Sequence, residues 1–215
     1  RKIFVKQQSK IWKTAVNVIV ISESIKDWLN HLNPSINPIV IPYGIEVPQM
    51  NSENKSKTAT LGYLGKLNKN KGIEDLIDVY AKLLKKENFN KLEPNLLIGG
   101  VGSQNYIKSV NKRISDKNIQ FLGYVEDRYR FFNSIEIFIF PSYSEGLGLV
   151  LLEAMSHEVL CITRDVTPMN SIINNGENGF LFKDNNELME IIEKALMLNS
   201  LEKDKMVKSA LEKIE

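Results

Sequence analysis

The segment "IEIFIFPSYSEGLGLVLLEAM", residues 135–155, contains an apolar run, a turn with two glycines and a second apolar run of helical length. A run of Ile and Phe without polar alternation is typical of a strand that is buried on both faces of a parallel sheet. We therefore predict such a strand at 135–142 and a helix that follows Gly148. Glu145 and Glu153 flank the helical run and are the only charged residues between 144 and 155.

The strand-then-helix pattern recurs on both sides of this segment. Further strands are predicted at 60–65, 95–100, 119–125, 158–163 and 179–182. Helices are predicted, from apolar residues that recur every three or four positions, at 73–87, 103–115, 186–198 and 201–214. This alternation predicts an α/β fold, a Rossmann-like doubly wound parallel sheet over residues 59–200.

The first 58 residues do not follow that repeat. Two strand-like runs flank a short helix with one apolar face: the runs are 17–22 and 38–42, and the face carries Ile25, Trp28, Leu29 and Leu32. Residues 51–58 are polar and are predicted to be a linker. We interpret residues 1–50 as the tail of a preceding domain, and expect a fragment or processed product because the chain begins at Arg1. The alternative is that both runs add edge strands to the main sheet.

Composition excludes several classes of ligand and location. The chain of 215 residues has 28 Lys and Arg against 26 Asp and Glu, so it has no strong field for nucleic acid or a membrane surface. The single cysteine, Cys161, excludes an internal disulfide and favours a reducing compartment such as the cytoplasm. No apolar run approaches the roughly 18 residues of a membrane span. Any anion-binding site must therefore be local.

The ends of the predicted strands concentrate charges and glycines. Right-handed crossovers bring the carboxyl ends of parallel strands to one edge, where ligands bind. Lys66, Lys69 and Lys71 follow the first strand of the repeat, and Gly146 and Gly148 follow the fourth. A helix that begins after glycines offers N–H groups and a partial positive charge to a phosphate. The pattern predicts a nucleoside diphosphate ligand in preference to a neutral metabolite.

Simpler structural explanations compete with each of these assignments. Lysines on a turn are commonly solvated, and we expect this of Lys69. The glycines could serve only a tight turn, and Glu145 could cap its own helix.

Four stretches resemble a known family: "NKNKGIEDLIDVYAKL", "IQFLGYV", "PSYSEGLGLVLLEAMSHEVLCITRDV" and "NNGENGFLF". They are similar to the C-terminal half of GT-B-type retaining glycosyltransferases of the glycogen-synthase-like, or group 1, family, over about residues 15–195. The most specific element is the glutamate pair with seven residues between, framed by Pro141, Gly146 and Gly148. The resemblance implies a sugar-nucleotide-binding domain that faces an acceptor-side domain. It also implies that residues 201–215 form a helix that runs back toward that first domain.

The resemblance implies a role for three charged residues at the reacting centre. Lys71 matches the family's lysine on the donor diphosphate. Lys66 stands where the family most often has arginine. The positive charge is kept, but the bidentate hydrogen bonding to phosphate that arginine provides is lost. Glu145 matches the residue that contacts the hydroxyls of the transferred sugar.

The resemblance also implies a set of donor-binding residues. Glu153 would accept hydrogen bonds from the ribose, and the backbone near Val125 would meet the nucleobase. The predicted donor site comprises Gly65, Lys66, Lys71, Gly102, Val125, Glu145, Gly146, Leu147, Gly148, Leu149 and Glu153, with the amides of Leu147, Gly148 and Leu149 on phosphate.

The family's chemistry implies further expectations about mechanism and partners. The anomeric configuration is retained, and neither a metal nor a cofactor is expected. The donor would be a UDP-, GDP- or ADP-sugar. The acceptor would be a glycan or glycolipid in the synthesis of surface polysaccharide, and the missing domain would hold it. We expect that the chain binds no nucleic acid. We expect the full-length protein to be cytoplasmic, or peripheral at the inner face of the membrane. The fragment alone is expected not to transfer the sugar. His31 and His157 are expected to be structural or solvated.

The sequence departs from the family at several places. His157 and Glu158 replace a Gly and Pro turn, Ser171 replaces a glutamate, and no acidic residue follows "GGVGS". These departures leave open an inactive nucleotide-sugar-binding or scaffolding module that pairs with an active glycosyltransferase.

Two other nucleotide motifs fit poorly. A dinucleotide fingerprint would use Gly100 and Gly102, but Asn105 stands at its third glycine position. A P-loop fails because only two residues separate Gly62 from Gly65, and the lysine is not followed by Ser or Thr.

Overall fold

A computed structural model describes residues 14–48, 60–114 and 117–214 of the chain. Of these, the residues up to Gly44 belong to one compact unit and those from Ile45 onward to a second. The linker expected at 51–58 lies outside the described residues.

The first unit contains a pair of short parallel strands and one helix. Strands β1 (Ile19–Val20) and β2 (Ile39–Val40) pair with each other and form a sheet of their own. The alternative of two extra edge strands on the main sheet is therefore wrong. Helix α1 (Glu23–Leu32) begins where the Ser22 hydroxyl accepts a bond from the Ile25 amide, at 3.3 Å. Leu29 is buried as expected, whereas Trp28, placed on the same apolar face, is 53% exposed.

The second unit is built on a six-stranded sheet in which every pairing is parallel. The strands are β3 (Thr60–Leu64), β4 (Asn95–Gly99), β5 (Ile119–Gly123), β6 (Ile137–Phe140), β7 (Leu160–Arg164) and β8 (Phe180–Phe182). Their spatial order is β5-β4-β3-β6-β7-β8, so the chain proceeds outward from β3 on one side and from β6 on the other. This order confirms the predicted Rossmann-like doubly wound sheet.

Each strand of this sheet is followed by one or two of the described helices. They are α2 (Ile73–Leu83), α3 (Glu87–Asn90), α4 (Gln104–Asn111), α5 (Arg128–Asn133), α6 (Leu149–Ser156), α7 (Met169–Ile172), α8 (Asn185–Met197) and α9 (Ser200–Ile214). The prediction of one helix over 73–87 is wrong at its end, since α2 stops at Leu83 and α3 is separate. Helices α5 and α7 were not predicted. None of the described helices is both long and apolar enough to span a membrane.

The core lies between the sheet and its helices. Strands β3, β6 and β7 are buried along their whole length, as their continuous apolar sequences predict. Helix α6 is fixed to this core by Leu151, Ala154 and Met155, each fully buried. Leu149, by contrast, is 39% exposed at the start of α6. Burial of this apolar surface holds α6, and the loop before it, at the carboxyl edge of the sheet.

Candidate functional site

The site lies where the strand order of the sheet reverses. Strands β3 and β6 are neighbours, but the connections that follow them lead to opposite sides, which leaves a crevice at their carboxyl ends. Residues 65–72 follow β3 and residues 141–148 follow β6; we call these the β3 loop and the β6 loop. They carry Lys66, Lys71 and Glu145, the residues predicted at the reacting centre.

The β3 loop and the β6 loop are bonded to each other. The Tyr143 amide donates to the Asn70 carbonyl at 2.9 Å, and the buried Ser142 hydroxyl donates to the same oxygen at 3.3 Å. Gly72 has φ of +66°, and a Cβ atom there would overlap the Pro141 carbonyl oxygen. Only glycine permits both this backbone conformation and this close approach.

Lys71 and Glu145 form an ion pair across the two loops. The Lys71 Nζ lies 2.6 Å from Glu145 Oε1, and the two side chains are 21% and 11% exposed. Lys71 ends a 3-10 turn, Lys69–Lys71, at whose start the Asn68 side chain accepts a bond from the Asn70 amide. The structure thus brings together two residues that the sequence assigns to different parts of the donor.

Glu145 does not cap the helix that follows it. The residue that precedes α6 is Gly148, which has φ of +76° and makes no side-chain capping bond. The competing interpretation of Glu145 as a helix cap is therefore wrong. Helix α6 begins with Leu149 directly at the carboxyl edge, as the predicted phosphate contact requires.

A cleft of about 580 Å³ opens beside this crevice, at the carboxyl ends of β3, β4 and β5. Its lining residues are Leu64, Gly65, Lys66, Gly100, Val101, Gly102, Tyr124, Val125, Arg128 and Val150. The predicted donor-site residues Gly65, Lys66, Gly102 and Val125 meet here, and Val150 brings the first turn of α6 to the same cleft. The other predicted residues are outside this lining: Lys71, Glu145, Glu153 and the residues from Gly146 to Leu149, which form the approach to α6.

The glycines after β4 serve contact between loops. The Leu67 amide donates to the Val101 carbonyl at 2.8 Å, and a parallel bridge joins Leu67 to Gly102. A Cβ at Gly102 would overlap the Leu67 carbonyl oxygen, and one at Gly100 would overlap that of Gly65. The pairing of β3 with β4 therefore continues beyond both strands into the floor of the cleft.

Glu153 has a cationic partner that the sequence did not indicate. Arg128, the first residue of α5, places its Nη1 atom 2.5 and 2.6 Å from the two Glu153 carboxylate oxygens. Arg128 also lines the cleft. The start of α5 had a signal, since Asp127 accepts a bond from the Arg130 amide at 2.8 Å in the usual manner of an N-cap.

Comparison with known proteins identifies the family of this chain. The family model described as glycosyl transferases group 1 matches residues 48–213. The chain belongs to this family. The capsular polysaccharide biosynthesis glycosyltransferase CapM of Staphylococcus aureus is 30% identical in an alignment of 207 residues that covers 87% of this chain and 54% of CapM. The chain thus spans about half the length of this group 1 relative.

Solved structures share the fold of this group 1 chain. HepE of Anabaena, in complex with UDP and glucose, superposes with a TM-score of 0.82 at 18% identity, over 94% of this chain and 59% of HepE. The sucrose-phosphate synthase of Thermosynechococcus elongatus gives a TM-score of 0.82 at 20% identity, over 100% of this chain and 57% of that one. At these identities the likeness shows a common fold.

Tyr63 supports the β3 loop of this glycosyltransferase-family chain from below. Its side chain is fully buried, and its hydroxyl donates to the Lys66 carbonyl at 3.1 Å. Burial, with a smaller contribution from the Glu145 charge, raises the pKa of Tyr63 above its ordinary value. The phenol therefore stays protonated and continues to donate to the loop. The side chain of Lys66 is exposed at the cleft, and that of Lys69 is exposed as expected.

Arg164 supports the β6 loop from behind. This buried residue donates to Asp75 Oδ2 at 2.7 Å and to the Pro141 carbonyl at 3.1 Å, and its guanidinium stacks 4.0 Å from the Tyr143 ring centre. The Tyr143 hydroxyl donates to the same Asp75 oxygen, which raises the pKa of Tyr143. The cluster ties the β6 loop to the first turn of α2, next to Lys71.

Two ion pairs join charged residues of the site, Lys71 with Glu145 and Arg128 with Glu153. Within the described ranges, no group of three or more His, Cys, Asp and Glu side chains could hold a metal ion. His31 is exposed in the last turn of α1, and His157 is buried at the end of α6.

Proposed function

We propose that this chain holds the nucleoside diphosphate sugar donor of a retaining glycosyltransferase. The observation that carries the proposal is the Lys71–Glu145 pair at the strand-order reversal, beside a cleft large enough for a nucleoside. Membership of the group 1 family and the fold shared with HepE, a structure that contains UDP and glucose, support it.

The donor would lie along the carboxyl edge. The nucleobase would meet the backbone near Val125 and the ribose would meet Glu153. The diphosphate would lie at the start of α6, over the amides of Leu147, Gly148 and Leu149. The transferred sugar would then reach Glu145, and Lys66 and Lys71 would flank the diphosphate. This order matches the sequence of groups in a nucleotide sugar, from the cleft wall to the loop crevice.

The chemistry would be electrostatic. As the bond from the anomeric carbon to the diphosphate breaks, negative charge grows on the leaving oxygen, and fixed positive groups stabilise it most in the transition state. Lys66, Lys71 and the α6 amides would supply this charge without a metal ion. The acceptor hydroxyl would form the new bond on the same face, and its proton would pass to the leaving phosphate.

One departure from the family pattern, the altered turn at Glu158, weighs little against activity. Glu158, in the altered turn, lines a hollow with Ile135 and Leu160, which adjoin the amino ends of β6 and β7. That hollow is on the opposite edge of the sheet from the proposed donor site. We accordingly favour an active donor site over an inactive module.

Acceptor binding would need more than this chain. CapM is named for capsular polysaccharide biosynthesis, and we propose a related surface polysaccharide acceptor for the whole protein. The remaining length that relatives such as CapM possess would supply the acceptor side, so this chain by itself would bind the donor without transferring its sugar.

Calorimetric titration of this chain with UDP, GDP, ADP and their hexose conjugates tests the proposal. We expect one nucleotide to bind with a dissociation constant below a millimolar concentration. An absence of binding by all of them at millimolar concentration would contradict the donor-site assignment. Titration with NAD under the same conditions is the control for the rejected dinucleotide motif, and no binding is expected.

A further inference from the structure

Arg128 is placed to act on the ribose-binding carboxylate. Its Nη1 atom contacts both Glu153 oxygens, at 2.5 and 2.6 Å, and the same side chain lines the cleft. We propose that Arg128 is a positioning residue that holds Glu153 in the orientation that receives the ribose hydroxyls of the donor. The inference rests on the proposed function, because it assumes that a nucleoside occupies the cleft.

Aromatic side chains also link the two helices that carry this pair. Arg128 begins α5, in which Phe132 is buried, and Glu153 lies in α6, which His157 directly follows. The His157 ring lies 5.1 Å from the Phe132 ring and 5.3 Å from the Tyr129 ring, measured between centres. These ring contacts join the end of α6 to α5, the helix that carries Arg128.

The chemistry of the pair suits a positioning role. A carboxylate has about four acceptor sites on its two oxygens, so two contacts from one guanidinium nitrogen leave capacity for ribose hydroxyls. A guanidinium is only a hydrogen-bond donor, so Arg128 cannot accept a hydrogen bond from a ribose hydroxyl in place of Glu153. A free glutamate side chain would sample several rotamers, and the arginine removes that freedom before the ligand binds.

The exposure of the pair argues against a purely structural purpose. The Arg128 side chain is 55% exposed and that of Glu153 is 28% exposed. Exposed ion pairs contribute little to folding stability. Removal of Arg128 should thus leave the fold unchanged and alter what Glu153 recognises.

The test measures discrimination between a ribose and a ribose that lacks its hydroxyls. Whichever of UDP, GDP and ADP binds most tightly is titrated against its 2′,3′-dideoxy analogue, with the wild-type chain and with Arg128→Ala. We expect the wild type to prefer the ribose form by at least about tenfold, because hydroxyl bonds to a charged acceptor are lost in the analogue. In Arg128→Ala we expect the preference to fall about fivefold, with little change in affinity for the analogue.

Three controls separate positioning from a general effect of charge. Arg130→Ala removes an exposed arginine of the same helix that is outside the cleft lining, and the preference should be unchanged. Arg128→Lys keeps one cationic nitrogen and should restore part of the preference. In a Glu153→Ala background, Arg128→Ala should have no further effect on the ratio, because the arginine acts through Glu153.

Each outcome decides between defined alternatives. A preference that is the same in Arg128→Ala as in the wild type would overturn this inference and leave the proposed function intact. A greater preference in the variant would also overturn it, since Arg128 would then compete with the ribose for Glu153. Failure of all three nucleotides to bind the wild type would overturn both proposals.

Discussion

Lys71 brings a positive charge to the proposed donor site. It reaches 2.6 Å from Glu145 and is mostly buried, so it is already oriented before a ligand arrives. In Lys71→Ala we expect nucleoside diphosphate binding to weaken by about 1.5–3 kcal/mol, the value of a charge-assisted hydrogen bond. Calorimetric titration measures this change.

Lys69→Ala is the matched control for that variant. Lys69 begins the same 3-10 turn but has an exposed side chain, and its loss should leave the affinity nearly unchanged. Equal losses of affinity in both variants would show that the turn contributes only general positive charge. The specific role proposed for Lys71 would then be contradicted.

Gly72 is the residue that allows the two loops to approach each other. Gly72→Ala would place a methyl group against the Pro141 carbonyl at a φ of +66°, so we expect a loss of about 1–3 kcal/mol in the free energy of unfolding. Gly146→Ala is the control, since a Cβ there meets nothing within 4 Å. Urea denaturation of both variants measures the difference. Similar stabilities would contradict the close-approach argument.

At the scale of the element, the packing of α5 on α6 depends on a neutral histidine. Burial lowers the pKa of His157 below its ordinary value. The unfolded chain therefore takes up this proton at a higher pH than the folded chain does. As the pH falls below about 6.5, the unfolded state binds more protons and the free energy of unfolding decreases, whereas above that value this residue has no effect.

Urea denaturation at pH 7.5 and pH 5.5 checks this expectation with His157→Phe. The phenyl ring keeps the aromatic packing and cannot be protonated. The free energy of unfolding of this variant should therefore depend less on pH than that of the wild type. His31→Gln, which changes an exposed histidine, should behave like the wild type. The same pH dependence in all three proteins would exclude His157 as the cause.

Sequence patterns predicted the long elements well because their periodicity is local. Helix α8 was expected at 186–198 and occurs at Asn185–Met197, since its apolar residues recur on one face. Helix α5 was missed because six residues, "RYRFFN", are too few to show a period and alternate charged with aromatic residues. Only its Asp127 cap was readable from the sequence.

The predicted site residues reached one edge because parallel strands share a direction. The shared direction of the strands was enough to place Lys66 and Glu145 at the same edge of the sheet. The partners themselves were beyond sequence patterns: Lys71 and Glu145 are 74 positions apart, and Arg128 and Glu153 are 25 apart. No local period relates residues at such distances, and the contacts depend on how α5, α6 and the loops pack.

At the scale of the whole molecule, donor binding should stabilise the second unit selectively. A ligand that binds only the folded state adds about 2.7 kcal/mol at a concentration of 100 times its dissociation constant. Hydrogen exchange with and without the nucleotide should show added protection at the β3 loop, the β6 loop and α6. The amides of α1, in the first unit, should exchange as before. Protection confined to α1 would contradict the assignment of the site.

The bridge between Leu67 and Gly102 has a consequence for conformational entropy. Two loops that extend the pairing of β3 and β4 have already lost most of their backbone freedom when the chain folds. A ligand that enters the cleft then has less disorder to remove, so a larger part of its contact free energy appears as affinity. The rigidity that these loops have before a ligand binds therefore favours binding.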